Sequence, residues 1–249
     1  MESLELHYRF TCQLHMSAAG PARGATDGGV GAPMMHLNLS VKAGGSLKIL
    51  CMGAHSDDIE IGCGGTILRL AEQYPDSEFH WVVFNAIGTR EKEARRAAQL
   101  FAGPRLKGPL LKTFQDGFMP YVGSEVKGVF ENNLKQLSPD LIFTHNGKDA
   151  HQDHQLISQL TWNTFRDHLI LEYEIPKYDG DMGQPSVFVP LDQETCEKKV
   201  GLLMEAFQSQ QTRPWFQPNT FLSLMRLRGM ECAASSGYAE AFYCRKLVL

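Results

Sequence analysis

The feature that most restricts the fold of this chain is an alternation. Between Leu47 and Ile175, short apolar runs take turns with segments of helical period. The apolar runs are "LKILCMGA", "FHWVVFNA", "PLLKTF", "DLIFTH" and "LILEYEI". Between them lie Gly62 to Tyr74, "REKEARRAAQLF", Val122 to Leu137 and a stretch from about Asp153 to Asp167. A strand with one wet face alternates apolar with polar residues, whereas a strand covered on both faces is apolar almost throughout. The second helical segment shows its period directly. Ala94, Ala97, Ala98 and Phe101 recur at i, i+3, i+4 and i+7, with Glu91 four residues before Arg95. Apolar strands separated by such helices predict an α/β fold: a Rossmann-like, doubly wound, mostly parallel sheet with helices on both faces. Beyond Pro176 the pattern loosens into "SVFVPL", a helix over Glu194 to Gln208, another near Phe221 to Leu227, and a closing strand "AEAFYCRKLVL".

The first 46 residues read differently. "SAAGPARGATDGGVGAP" and "VKAGGS" are small, Gly-rich and Pro-containing, with too little apolar surface to offset the entropy of ordering. Residues 1–46 are therefore expected to be a poorly ordered extension, and residues 47–249 a single domain. Met34 and Met35 stand as alternative starts. No basic flank precedes an apolar core at the N-terminus, and no apolar run approaches a membrane span. The six cysteines, Cys12, Cys51, Cys63, Cys196, Cys232 and Cys244, include no CxxC pair, and Cys51 within an apolar strand reads as a buried thiol. Together these features point to the cytoplasm. A net charge of −4 without a basic stripe argues against nucleic acid as a partner. Homo-oligomerisation is left open.

In open α/β sheets, ligands bind at the carboxyl ends of the strands. Two runs here end in clusters of polar residues. The first meets His55, Ser56, Asp57 and Asp58, then Gly62, Gly64 and Gly65; the fourth meets "THNGKDAHQDHQ". An HxxD spacing on a turn can aim an imidazole and a carboxylate at one point. Zinc accepts that mixture, and catalytic zinc keeps three protein ligands with one open position. His151 and His154 supply candidates for the third, with Asp153 available to hold a ring N–H. Taken singly, an Asp after a strand is usually a helix N-cap, and HxxH spacing is usually coincidence. Both clusters at strand ends, brought side by side, make a site. The glycines do not fit a dinucleotide loop, because two aspartates stand where phosphate would approach. Their expected role is close packing of helix on sheet. Trp162, Trp215 and Phe216 are candidates to line a sugar pocket, with core packing the simpler reading for Trp162. Arg226 and Arg228 read by default as a solvated helix end.

The runs "AHSDDIEIGCGGT" and "PDLIFTHNGKDAHQDHQ" resemble the paired motifs of the LmbE-like, or PIG-L, family of zinc-dependent N-deacetylases. The similarity extends through "GTREKEARRAA", "QDGF", "FRDHLILEYEIPKYDGD" and "RGMECAASSGYAEAFYC", the later segments resembling bacterial sugar deacetylases. The resemblance implies His55, Asp58 and His154 as ligands of one Zn2+, with Fe2+ a substitute. It implies Asp57 as general base, His151 oriented by Asp153 as the oxyanion-stabilising imidazolium, and Arg90 and Asp116 as substrate contacts. Ser56 replaces the usual Pro of the first motif, and Glu60 takes one of the two family positions for a following Glu. The activity implied is hydrolysis of the acetamide of an N-acetylated sugar or sugar conjugate. Two alternatives are an amidase acting on a larger amide, such as a thiol-sugar conjugate, and a catalytically silent sugar-binding module. A nicotinamide enzyme is the weakest, for the glycine order given above.

Overall fold

The computed structural model describes residues 45–248, which fall in one compact unit. The expected N-terminal extension, and Cys12 with it, lies outside the described residues. Seven strands form one sheet in the order β3-β2-β1-β4-β5-β7-β6. They are β1 (Lys48–Gly53), β2 (Glu78–Val83), β3 (Leu110–Leu111), β4 (Leu141–His145), β5 (Leu169–Tyr173), β6 (Val187–Leu191) and β7 (Tyr238–Tyr243). The first five are parallel; β7 runs antiparallel to both β5 and β6. The helices are α1 (Asp58–Gln73), α2 (Thr89–Ala102), α3 (Gly123–Val129), α4 (Gln152–Thr164), α5 (Gln193–Ala206) and α6 (Pro218–Glu231).

The apolar strands are explained by where successive residues go. Ile49 and Cys51 enter one core with residues of α1, α2 and α5, while Leu50 and Met52 enter a second core with residues of α3 and α4. Side chains alternate faces along a strand, so a sheet covered twice must be apolar at every position. Strand order runs one way from β1 through β2 to β3, then resumes on the far side of β1 with β4. The ends of β1 and β4 thus flank a topological switch point, where such sheets bind ligands.

Four local readings needed correction. Helix α1 starts at Asp58 rather than at Gly62, and the glycines lie inside it. There they allow close approach: a Cβ on Gly62 would sit 2.2 Å from the Tyr173 ring, and one on Gly65 2.5 Å from Leu191. The third strand shrinks to two residues, because this edge continues as irregular backbone pairing from Lys112 and Phe114 to β2. The helix expected to run to Leu137 changes to a π-turn over Phe130–Leu134. Arg228, finally, is buried rather than solvated, forming a fork-like pair with Glu174 at 2.6 and 2.8 Å.

Helix α1 is kinked at Cys63, whose φ of −142° is not helical. A break in the ladder leaves backbone groups in need of partners. Here side chains supply them. Glu240 accepts from the N–H groups of Gly65 and Thr66 at 2.7 and 2.6 Å, and Lys199 donates to the Ile61 carbonyl at 2.7 Å. Lys199 and Glu240 are themselves 2.7 Å apart and buried. Among the described residues, Cys51, Cys63, Cys196, Cys232 and Cys244 are free thiols. No helix among them is long and apolar enough to cross a membrane.

Candidate active site

The turn from β1 into α1 fixes the first cluster. Asp58 Oδ2 accepts from the His55 backbone N–H at 2.6 Å, and the Ser56 hydroxyl donates to the Asn85 carbonyl at 3.0 Å. Ser56 thus ties the turn to the end of β2 instead of capping α1. The second cluster begins α4. His151 is its N-cap, with Nδ1 accepting from the Asp153 backbone N–H at 3.2 Å. A histidine in that role keeps its proton on Nε2 when neutral.

Three donor atoms from the two clusters converge. His55 Nδ1 lies 3.1 Å from His154 Nε2 and 3.4 Å from Asp58 Oδ2, and the last two are 3.6 Å apart. Ligands about 2.1 Å from a tetrahedral zinc lie about 3.4 Å from one another, so the residues fit the ion. Two imidazole nitrogens and a carboxylate oxygen in mutual contact are a donor set that a divalent cation accepts. Burial pushes His154 down, helped by His145, which favours the neutral ring a metal requires. Burial alone would raise Asp58, but His154, His145 and His55 pull it well below the usual carboxylate range.

Asp57 sits beside this set without joining it. Its Oδ1 accepts from Arg90 at 2.6 Å, while its buried Oδ2 has no partner among the described residues. Burial raises its carboxyl, against the pull of Arg90. Arg90 is held in turn by Glu93 at 3.4 Å and lies over the Phe207 ring, and Glu93 accepts from the Ser209 backbone and hydroxyl at 2.8 and 2.6 Å. Expected as a substrate contact, Arg90 is here bonded to the base candidate.

Asp153 departs from the expected pairing with the His151 ring. Its carboxylate accepts from the N–H groups of Gly117 and Met119 at 2.7 and 3.1 Å and stands 3.3 Å from His55 Nε2. The reason is positional. Asp153 lies in the first turn of α4, facing the loop after β3, and its carboxylate collects that loop's amides. Asp116, on the same loop, is 3.0 Å from His55 Nε2 and 3.7 Å from His151 Nε2. Burial and the neighbouring His154 and His55 push His151 down, which favours a neutral ring with Nε2–H as donor over the expected imidazolium.

Two more residues belong here that the motif reading had not singled out. His145, the last residue of β4, is buried and stacks on His154 at 3.8 Å between centroids, with Nε2 3.1 Å from Asp58. Asp149 is 3.0 Å from His154 Nδ1 and is pulled down to about 2: burial opposes the shift, but the His154 contact outweighs it. Carboxylates behind ligating imidazoles set ring orientation and basicity. Glu60 is fully buried, with neither oxygen partnered among the described residues, and burial lifts it well above the usual range.

Comparison with known proteins fits this geometry. The family model described as "PIG-L: GlcNAc-PI de-N-acetylase" matches residues 50–165, which include both clusters. The uncharacterized deacetylase YaiS of Escherichia coli K12 is 28% identical over 166 residues, covering 62% of this chain and 88% of that protein. Among solved structures, the N,N'-diacetylchitobiose deacetylase of Pyrococcus horikoshii aligns with a TM-score of 0.64 at 19% identity, over 79% of this chain and 83% of that one. GalB, the 4-carboxy-2-hydroxymuconate hydratase of Pseudomonas putida, aligns at 0.61 and 17%, over 82% and 98%. The two structures share this fold, and their names state different reactions.

Proposed function

Because the chain belongs to the PIG-L/LmbE-like family of deacetylases, we propose that it hydrolyses the acetamide of an N-acetylated sugar or sugar conjugate, releasing acetate and a free amine. The observation that carries the reading is the convergence of His55, Asp58 and His154 beside the unengaged Oδ2 of Asp57.

In this reading His55, Asp58 and His154 hold a divalent metal, zinc or a substitute such as iron. When bound, such an ion polarises an amide carbonyl and lowers the pKa of water. The chain's own groups supply the rest. Arg90 fixes Asp57 through Oδ1, so Oδ2 is left to take the proton of the attacking water and return it to the leaving nitrogen. The raised Asp57 carboxyl suits both halves of that task, since a base poised nearer neutrality can also act as an acid. His151, its Nδ1 occupied by a backbone N–H, presents Nε2–H to the oxyanion of the tetrahedral intermediate. Asp153 and Asp116 steady the far side of the His55 ring.

The test is acetate release from a panel of N-acetylglucosamine derivatives by the zinc-loaded protein, before and after chelation. Acetate formed by the loaded protein and lost on chelation supports the reading. Release of a larger acid from longer amides, with none from acetamides, would replace it with an amidase. Binding without turnover would leave a silent module, although a base beside a ligand set has no use there. Hydration of an unsaturated acid, the chemistry named for the Pseudomonas neighbour, would move the reaction to another class altogether.

A further inference from the structure

The aromatic residues that the sequence offered for a sugar pocket are engaged elsewhere. Phe216 is buried in the core, Trp215 packs edge-on against it, and Trp162 donates to Glu172. What the later half of the chain brings to the site is the loop between β5 and β6. Arg228 clips the two ends of that loop together: besides its pair with Glu174, Nη2 donates to the Gly183 carbonyl at 3.1 Å. Between those ends the chain turns at Tyr178 and Asp179, with Gly180 in the left-handed region at a φ of 64°. Lys177 and Asp181 stand on either side of the turn, and both reach the start of α4.

Lys177 Nζ lies 2.5 Å from Asp181 Oδ2 and 3.0 Å from Asp149 Oδ2. That same Asp149 oxygen is 3.0 Å from Nδ1 of His154, whose Nε2 belongs to the converging set. One carboxylate oxygen therefore serves an imidazole and an ammonium at once. Its position does not depend on the lysine. Asp149 accepts at Oδ1 from the His151 N–H at 2.8 Å, its own N–H donates to the Asn146 carbonyl at 3.1 Å, and its carbonyl accepts from the Gln155 side chain at 2.7 Å. Asp181 likewise has a second anchor, the Ala150 N–H at 2.7 Å. What Lys177 adds is positive charge, and with its side chain 12% exposed that charge is little screened by solvent.

We propose that Lys177 tunes the strength of His154 as a metal ligand, by drawing off part of the Asp149 charge behind it. Lys177 touches no ligand atom and acts through Asp149, so it is a positioning residue rather than a catalytic one. When Nε2 of a neutral imidazole holds a cation, the ring proton is on Nδ1, here toward Asp149. A carboxylate behind that proton raises the basicity of the ring and the affinity of the site. A cation on the same oxygen opposes this. The set should thus hold its ion less tightly, and leave it a stronger Lewis acid, than it would with Asp149 unopposed. Asp181 works the other way, sharing the lysine's charge between two carboxylates. This inference rests on the metal-dependent reading above and adds a control on that same ligand set.

The test is zinc affinity, measured by competition with a chromogenic chelator and accompanied by melting curves. The proteins are wild type, Lys177→Met, Lys177→Arg, Asp181→Asn, Asp149→Asn and the double variant Lys177→Met with Asp149→Asn. Lys177→Met should bind zinc about three- to tenfold more tightly, a smaller change than the ~10–100-fold of a residue that touches a ligand directly. Asp181→Asn should bind it about two- to threefold more weakly, and Lys177→Arg, which keeps the charge, should stay within about twofold of wild type. With Asp149 neutral, removal of Lys177 should change affinity by less than about twofold, because non-additivity marks residues that act through one another. A lysine that merely braced the loop could only loosen the ion. Zinc held more weakly by Lys177→Met, or held equally while wild type binds it stoichiometrically, overturns the tuning and leaves the ligand set standing. Full tightening in the Asp149→Asn background overturns the route through Asp149. Wild type that takes up no zinc overturns the ligand set and the tuning together. Affinity is read without turnover, so the expected shifts with no acetate released support the tuning and remove the deacetylase reading.

Discussion

Helix α1 carries two buried clusters of charge, and they are built on opposite terms. At its kink, Glu240 uses both oxygens on Gly65, Thr66 and Lys199, and Lys199 also donates to Ile61. Every group there has a partner from the chain itself. At its first turn, the ring nitrogens of His55 and His154 crowd the Asp58 carboxylate, and the inner oxygen of Asp57 has no partner among the described residues. Asp58 and His154 are buried about as deeply as Lys199 and Glu240, so depth does not mark function. Mismatch does: a polar cluster that the chain completes is part of the fold, whereas one left short of a cation and a proton is a place for chemistry.

Substitutions should separate the two kinds. The largest effect belongs to Asp57→Asn, which should lower kcat by ~10²–10⁴ while leaving the melting temperature at or above that of wild type, because a carboxylate without a full set of partners is replaced by a neutral amide. Near-normal turnover would take the base role away from Asp57. At the kink the signs reverse. Lys199→Met leaves Glu240 buried without its counter-ion and should cost about 3–5 kcal/mol of stability in urea unfolding, with turnover per folded molecule little changed. If that variant were as stable as wild type, the contrast between the clusters would be lost. Gly65→Ala places a Cβ 2.5 Å from Leu191 and 3.0 Å from Glu240, and overpacking of that kind costs about 1–3 kcal/mol.

Much of this was legible beforehand, and the reasons differ by residue. The strands could be read because two covered faces demand apolar residues at every position, whereas the switch point required the observed strand order. His55 and Asp58 could be read as candidates because they share one short turn, but spacing left His151 and His154 open and only the family resemblance singled out His154. His145 could not: as the final residue of an apolar strand it has no partner nearby in sequence, and its meaning comes from Asp58 across 87 positions of chain. Asp149 was hidden by proximity to better motif residues. The pairing of Asp153 with His55 depends on how the loop after β3 crosses α4, which no local pattern encodes. The same holds for Arg228, whose partner Glu174 lies 54 residues away.

The smallest effect is a control outside both clusters. Asp192 caps α5, accepting from the Thr195 N–H at 2.7 Å, and that bond holds its carboxyl below the ordinary value of 3.8. Asp192→Ala should cost about 1 kcal/mol. A carboxyl lowered in the folded state contributes above its unfolded value and loses that contribution as pH falls through the folded one. The stability gap between wild type and Asp192→Ala should therefore hold above pH 3.8 and shrink below it, with turnover at neutral pH unaffected.

The most direct measurement is metal content per chain after zinc loading and removal of free ion, taken on wild type, Asp57→Asn and His154→Ala together with their melting curves. One tightly held zinc in wild type and in Asp57→Asn, and almost none in a folded His154→Ala, is the expected result. Stoichiometric zinc in His154→Ala, or none in wild type, would contradict the account, since the mismatch at the first turn of α1 would then have some cause other than a metal site.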